Sequence, residues 1–419
     1  MTPEIKNRTD QIQRGVVPEG YKKTKAGILP ADWDVYILGD CLRRIERPVE
    51  VKPDELYTQI GIRSHGKGLF YKEPVTGALL GNKSVFWIEP NCFVLNIVFA
   101  WEQAIGKTTQ SEVGMIGSHR FPMYRPVNDA VNIDYLISYF LTKRGTDILE
   151  AASPGGAGRN KTLGQDRFLK SKIVLPPIEE QQKIAEILTT QDKIIELKEN
   201  LFTEKQRQKK YLMQQLLTGK NRLPRFSGEW KKRKLKDILH ERKTYSLKGL
   251  EYPHVTLSTE GIFPKSERYD RDHLVRDEAK EYKVTYKGDI CYNPANLKFG
   301  VICENNFGDA IFSPIYVTFE VRKNVCREYL ANYLMRWDFI NAVRKYEEGT
   351  VYERMAVKSE DFLKFEILLP QIEEQTAIAQ ILSTADRELD LLRQDIEQEK
   401  QKKKALMQLL LTGIVRVNV

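Results

Sequence analysis

Leu175-Pro176-Pro177-Ile178-Glu179-Glu180-Gln181 recurs as Leu369-Pro370-Gln371-Ile372-Glu373-Glu374-Gln375, 194 positions later. The register then holds without a gap. Ile184-Ala185, Ile187-Leu188 and Asp192 become Ile378-Ala379, Ile381-Leu382 and Asp386. The match closes with Leu212-Met213-Gln214 and Leu216-Leu217-Thr218-Gly219, repeated as Leu406-Met407-Gln408 and Leu410-Leu411-Thr412-Gly413. A chain that contains one unit twice is expected to fold as a pseudo-two-fold molecule.

Each copy reads as one long helix. Apolar residues recur at seven-residue spacing through Leu188, Ile195, Phe202 and Leu216, and again through Leu382, Leu389, Ile396 and Leu410. Leu212 adds to the first seam, and Ala385, Leu392 and Leu406 to the second. This is the period of helices that pack along a seam. Prolines and glutamates at the start and Gly219 and Gly413 at the end are helix start and stop signals. Lys205, Lys209, Glu399 and Lys403 also fall on seam positions, and polar seam residues fix register and partner orientation. The simplest packing is the two helices against each other, antiparallel, as a spacer; two separate core helices are the alternative.

The duplication extends upstream. Tyr135-Leu136 and Tyr139 match Tyr329-Leu330 and Tyr333, and Phe168-Leu169 match Phe362-Leu363, still 194 apart. Trp33, Leu38 and Asp40 match Trp230, Leu235 and Asp237 at 197. Between roughly 41–134 and 238–327 the copies barely resemble each other. The expected fold is α+β, with two globular α/β domains joined by two long antiparallel helices. The expected domains are 1–174, a first spacer helix at 175–221, a second globular domain at 222–368, and a second spacer helix with tail at 369–419.

The chain has 419 residues, 41% hydrophobic and 29% charged, as in a globular protein of two or three domains. The N-terminal twenty residues are polar and hold no signal segment. The longest apolar run, Cys92–Trp101, is broken by Asn96, is too short to span a membrane, and reads as a buried strand. Five cysteines without a CxxC pair and five scattered histidines point to reduced thiols and no metal. Net charge is +9, whereas the two repeated segments together carry −2, which leaves +11 on the remainder. Two basic heads on neutral helices fit a polyanion partner.

Three motifs fail on context. Gly155 to Thr162 imitates a phosphate-binding loop, but Asn160 replaces the second glycine and the preceding segment (Asp134 to Ala152) reads as helix, not strand. It still offers backbone amides beside Arg159, Asn160 and Lys161 to a DNA phosphate. Tyr292-Asn293-Pro294-Ala295-Asn296 lacks the second proline and aromatic of amino-methyltransferases, and no glycine loop for S-adenosylmethionine follows a strand. Glu278-Ala279-Lys280 imitates a nuclease triplet without a preceding acidic strand. No catalytic constellation is visible.

The duplicated Leu-Pro-x-Ile-Glu-Glu-Gln helices, their Leu-Leu-Thr-Gly ends, the Trp33…Leu38-Gly39-Asp40 and Trp230…Leu235-Lys236-Asp237 module starts, and the segments Val98–Glu102 and Lys287–Ile290 together resemble the specificity (S) subunit of a type I restriction–modification system. The resemblance covers almost the whole chain; the glycine of the first module start is missing from the second. It implies a non-catalytic subunit with two target recognition domains, each reading one half of a split, asymmetric double-stranded DNA site. It implies helices that set the gap and dock two methyltransferase (M) subunits, with restriction (R) subunits completing the complex. S-adenosylmethionine would serve the M subunits and ATP with magnesium the R subunits, with no cofactor on this chain. The setting would be the bacterial or archaeal cytoplasm, without membrane contact. A stand-alone two-headed DNA-binding regulator and a pure assembly scaffold are the rivals. Candidate DNA-binding residues lie in the divergent centres and glycine-rich segments. In the first head they are Arg63, Ser64, His65, Lys67, Lys107, Thr108, His119, Arg120, Arg159, Asn160 and Lys161. In the second they are Lys265, Arg268, Arg271, Asn293, Asn296, Lys298, Tyr352 and Arg354.

Overall fold

The computed structural model describes all residues except 1, 26, 82, 156–160, 248–250, 266–280, 348–354 and 418–419. The chain divides into two units, Met1–Glu199 with Asp395–Val419, and Asn200–Gln394. Two 39-residue helices, Ile178–Leu216 and Ile372–Leu410, each contribute to both units.

In the first unit a four-stranded antiparallel sheet runs in the order Ile105–Lys107, Phe93–Leu95, Met123–Pro126, Leu42–Ile45. Helices Ile133–Phe140 and Lys143–Ala151 follow it, so the Asp134–Ala152 segment is two helices, restarted where the Thr142 side chain accepts from Gly145 N. Phe93, Phe140 and Phe168 stack in the core, with Trp33, Leu38 and Tyr135 buried around them. The polar N-terminus forms a helix, Pro3–Gln13, whose Arg8 donates to the carbonyl of Ile414 in the C-terminal tail.

The second unit repeats the sheet. Its strands run Ile302–Glu304, Ile290–Tyr292, Val317–Val321, Leu239–Glu241. Tyr292, Phe319 and Phe362 stack beneath it. Two ion pairs brace this head: Lys283 with Glu241 at 2.8 Å, and Arg242 bidentate on Asp289 at 2.9 Å. Burial works to raise the Glu241 carboxyl, but Lys283 and Ser359 outweigh it and hold the carboxyl below its ordinary value.

The repeated heptapeptide is explained by the joint it builds. In both units a two-stranded ribbon (Asp34–Ile37 with Lys172–Leu175, Lys231–Lys234 with Glu366–Leu369) feeds directly into a long helix. Gln181 Nε2 donates to Pro176 O and its Oε1 accepts from Asn132 N. Gln375 does the same to Pro370 O and from Cys326 N. The second glutamate of each motif is buried and clamped by an arginine from beyond the other helix: Glu180 by Arg416, Glu374 by Arg222. Gly219 and Gly413 end the helices at φ 72°, a left-handed turn that favours glycine. At Gly413 a Cβ would also stand 2.6 Å from Pro30.

A buried stripe runs along the two long helices. Leu188, Ile195, Leu216, Leu382, Leu389, Ile396 and Leu410 are buried, and Phe202, Leu212, Leu392 and Leu406 are half-buried. Pairing is antiparallel within each unit. In the first, Asp192 meets Lys403 at 2.5 Å, while Glu399 takes Gln191 Nε2 at 2.6 Å and Lys198 at 2.9 Å. In the second, Lys209 meets Asp386, Lys205 meets Glu388 at 2.8 Å, and Arg393 lies over the Phe202 ring. Hydrogen bonds from Lys198 and Gln191 hold the Glu399 carboxyl down to about 2. Each fully buried leucine along the seam contributes about 1.5–3 kcal/mol. The seam is continuous with each head's core: Ile184, Leu188 and Leu410 join the first, Leu216, Ile378 and Leu382 the second.

Candidate nucleic-acid interface

The two variable centres share one feature that sequence comparison passes over. After Phe93–Leu95 the chain buries Asn96, whose side-chain oxygen accepts from Val98 N. A short 3-10 turn, Ala100–Glu102, follows. Gln103 then takes a left-handed conformation, φ 59°, and the chain returns as Ile105–Lys107. After Ile290–Tyr292 the second head does the same. Asn293 is buried and accepts from Ala295 N, Leu297–Phe299 forms the 3-10 turn, Gly300 is left-handed at φ 82°, and Ile302–Glu304 returns. The backbone hydrogen bonds that frame the turn correspond. Asn96 N donates to Ala104 O and Asn293 N to Val301 O; Gln103 N donates to Ala100 O and Gly300 N to Leu297 O. Cys92–Trp101 is therefore a buried strand only through Leu95. Asn96 satisfies its polar group by starting a turn, which a strand continuing in the same direction would not allow.

In both heads a residue that follows the glycine-rich stretch bonds to this turn. Leu163 N donates to Ile97 O at 2.8 Å, and Val357 N to Pro294 O at 3.2 Å. In the first head two more segments converge, and Lys161 of the first segment joins them. His65 N and Gly66 N donate to the carbonyls of Glu102 and Gln103, and the Ser64 hydroxyl donates to the Glu102 carboxylate. The Arg120 carbonyl accepts from Ile97 N, and the Lys161 ammonium sits 5.1 Å from the Trp101 ring centre. The turn thus gathers Ser64, His65, Arg120 and Lys161. His119, next in chain to Arg120, is exposed, and Arg63 and Lys67 are exposed in the hairpin loop that also carries His65. Arg63 is stacked 5.1 Å from the Phe70 ring centre.

Two candidates of the first head point elsewhere. Lys107 pairs with Asp134 at 2.7 Å. Thr108 is fully buried, with its hydroxyl accepting from Cys92 N and donating to Glu89 O, so it braces the sheet. In the second head Asn296 and Lys298 lie on the turn, and the Lys298 ammonium is 5.2 Å from the centre of the exposed Phe299 ring. Asn293 is the buried start of that turn. Lys265 is half-buried just past a hairpin strand, where its N–H donates to His254 O. Arg159, Asn160, Arg268, Arg271, Tyr352 and Arg354 lie outside the described residues, as does the Glu278–Lys280 triplet.

Sequence reading did not single out Trp101, Gln103 and Phe299, which lie on the turn. One signal could have found them: Asn96 and Asn293 are 197 apart, the same offset as Trp33 and Trp230. The surface so assembled holds lysine and arginine for phosphates, aromatic faces for stacking, and carboxamides for base edges. Among the described residues no group of three His, Cys, Asp or Glu side chains could hold a metal ion, and no helix is long and apolar enough to cross a membrane.

Residues 89–204 and 227–401 match the family described as the type I restriction modification DNA specificity domain. Two specificity subunits from Methanocaldococcus jannaschii are 24% identical to this chain. The type I restriction enzyme MjaVIII subunit aligns over 95% of this chain and 96% of its own length. The putative MjaX subunit aligns over 95% and 97%. Among solved structures, the HsdS subunit from Thermoanaerobacter tengcongensis superposes with a TM-score of 0.51 at 17% identity, covering 92% of this chain and 98% of its own. The S subunit from M. genitalium gives 0.55 at 11%, covering 90% and 96%. A chain solved in work on complex assembly of the type I R-M system gives 0.58 at 17%, covering 92% and 99%.

Proposed function

The chain belongs to the type I restriction–modification DNA specificity family, and from that premise we propose that each unit reads its half of a bipartite, asymmetric DNA site through the asparagine-initiated turn and the segments docked on it. The observation that carries this is the duplication of that turn. Two heads with almost no sequence in common here keep the same backbone frame and fill it with different side chains. A common frame with variable contents is what two half-sites of different sequence require. In the first head the reading face comprises Arg63, Ser64, His65, Lys67, His119, Arg120 and Lys161 around the turn, continuing into the segment of Arg159 and Asn160. In the second it comprises Asn296 and Lys298, continuing into the segments of Lys265, Arg268, Arg271, Tyr352 and Arg354. The working domains are 1–174 and 222–368, with spacer helices at 175–221 and 369–419.

The subunit does no chemistry of its own and holds no cofactor. Adenine-N6 methylation belongs to two docked M subunits using S-adenosylmethionine, and cleavage to R subunits using ATP and magnesium, all in the cytoplasm. The docking surface for M subunits runs along the outer faces of the long helices. Leu197 and Leu391 are repeat equivalents and are both more than half exposed, at 55% and 57%. Duplicate apolar contacts suit two copies of one partner.

The test is to co-express the full chain with its methyltransferase subunit and map the methylated motif. Alanine at Arg63 or Lys161 should weaken binding to cognate and scrambled duplexes alike and lower the salt slope by about 0.9 per lost phosphate contact. Alanine at Asn296 should relax only the second half-site. If variants on both turns leave binding and motif unchanged, this face is not the reading face.

A further inference from the structure

We propose that Gln103 is a base-reading residue for the first half-site. This rests on the reading that the turn faces DNA and goes one step beyond it, to a single side chain and the base edge that suits it.

The backbone supplies the first argument. Gln103 sits in the left-handed region at φ 59°, where the second head places Gly300 at φ 82°. Glycine does this backbone work without strain, whereas a glutamine there costs stability. Nothing in the turn's hydrogen bonding needs a side chain at this position, because Gly300 forms the equivalent bonds. The first head therefore keeps a strained residue for what its side chain does.

The side chain is held in one orientation. Gln103 Nε2 donates to Thr146 Oγ1 at 2.6 Å. The Thr146 proton is already directed to Thr142 O at 2.9 Å, so the hydroxyl can only accept from the glutamine. That fixes the carboxamide with nitrogen toward Thr146. One N–H and the Oε1 acceptor remain, on a residue that is half-exposed between Trp101 and the His65 loop. The Gln103 carbonyl is taken by Gly66 N, so the backbone cannot swing the amide away. An adjacent donor and acceptor with fixed order matches an edge offering the complementary pair. In the major groove that edge is adenine, with N7 accepting and N6–H donating.

The experiment uses the full chain with its methyltransferase subunit and two variants. Gln103→Gly installs the residue found at the equivalent position. Gln103→Glu keeps the shape and removes both donors. Discrimination is read as relative binding to duplexes carrying each substitution across the first half-site, together with the methylated motif and the melting temperature. With Gln103→Gly the melting temperature should stay at or above that of the unmodified protein. Discrimination should fall about 5- to 150-fold at one adenine, the range for a lost bidentate contact, with the second half-site unchanged. Gln103→Glu should lose preference for the same adenine. If both variants keep full discrimination while Lys161→Ala weakens binding, the turn faces DNA but Gln103 does not read it, and the inference is overturned. If Lys161→Ala also has no effect, the DNA-facing reading of the turn falls with it. A lower melting temperature for Gln103→Gly, with both half-sites weakened equally, would mark Gln103 as a structural prop and overturn the inference.

Discussion

Replacing Arg416 with methionine tests the clamp that ties the C-terminal tail to the start of the first long helix. Glu180 is 1% exposed and accepts from Trp33 Nε1 at 2.9 Å, Arg416 Nε at 2.7 Å and Arg416 Nη2 at 2.8 Å. Arg416 Nη2 also reaches Asp32 at 2.6 Å. Hydrogen bonds to Glu180 raise the guanidinium pKa further, so the group is charged at every working pH. Removing one partner of a buried pair costs about 3–5 kcal/mol, because the other charge stays buried. Arg416 is itself 34% exposed, and water screening reduces the loss to about 2–3 kcal/mol. For a unit of this size 1 kcal/mol moves Tm by about 2–4 °C, so the first unit should melt roughly 4–12 °C lower. Methionine keeps most of the stem packing, which isolates the charge. Adding Glu180→Gln should recover part of the loss, since no buried charge is then left unpaired and Asp32 is exposed to water. Calorimetry of the two single variants and the double variant gives the coupling directly. A Tm within about 1 °C of the unmodified protein for Arg416→Met, or strictly additive losses, would refute the clamp as a coupled pair.

Glu399 supplies a pH prediction. Its folded value is depressed to about 2 from 4.5, so its contribution is present above about 4.5 and is lost as pH falls toward 2. Melting curves should show a stability gap between the unmodified protein and Glu399→Gln at pH 7 that closes between about pH 4.5 and 2; a gap independent of pH would contradict the assignment. The spacer helices give another. Inserting one heptad after Phe202 and one after Arg393, which already meet, keeps the seam and adds about 10 Å at about 1.5 Å per residue. The half-sites should be unchanged and the gap in the methylated motif about three base pairs longer, at about 3.4 Å each. Methylation at the original gap by a folded variant would show that the partners set the spacing.

The fold was legible where one residue type has one physical job. Heptad residues from Leu188 to Leu410 are buried or half-buried, because that stripe faces the partner helix or a head's core. The Ile-Glu-Glu-Gln motif was legible as a repeat but not as a mechanism. Its glutamine bridges a strand exit to a distant backbone N–H at Asn132 or Cys326, and such long-range pairing leaves no periodic trace. The asparagine-initiated turn was hidden for a related reason. Its shape is fixed by backbone hydrogen bonds and one buried asparagine, so the eight positions after Asn96 and Asn293 share no residue. Polarity alone also picked out two residues whose side chains make contacts within the head. Lys107 is basic because Asp134 faces it, and Thr108 is polar because a strand edge needs its hydroxyl.

The seam shows why two nearly equal helices pair with each other and not each with a copy of itself. Asp192–Lys403 and Lys209–Asp386 are related by the 194-residue shift, so either helix paired with a copy of itself in the same register would keep an Asp–Lys contact. These contacts set register and say nothing about partner. The layer of Gln191, Lys198, Asp395 and Glu399 is different. Its shifted counterparts are Ala385, Leu392, Leu201 and Lys205. A first helix paired with itself would set Lys198 against Lys205. A second paired with itself would set Glu399 against Ala385 and Leu392. Either arrangement strands charge in the seam, whereas the native pairing satisfies it. Polar seam residues of this kind lower stability relative to leucine and discriminate between partners. The repeat is therefore kept symmetric where the helices must align and made unequal where they must recognise each other.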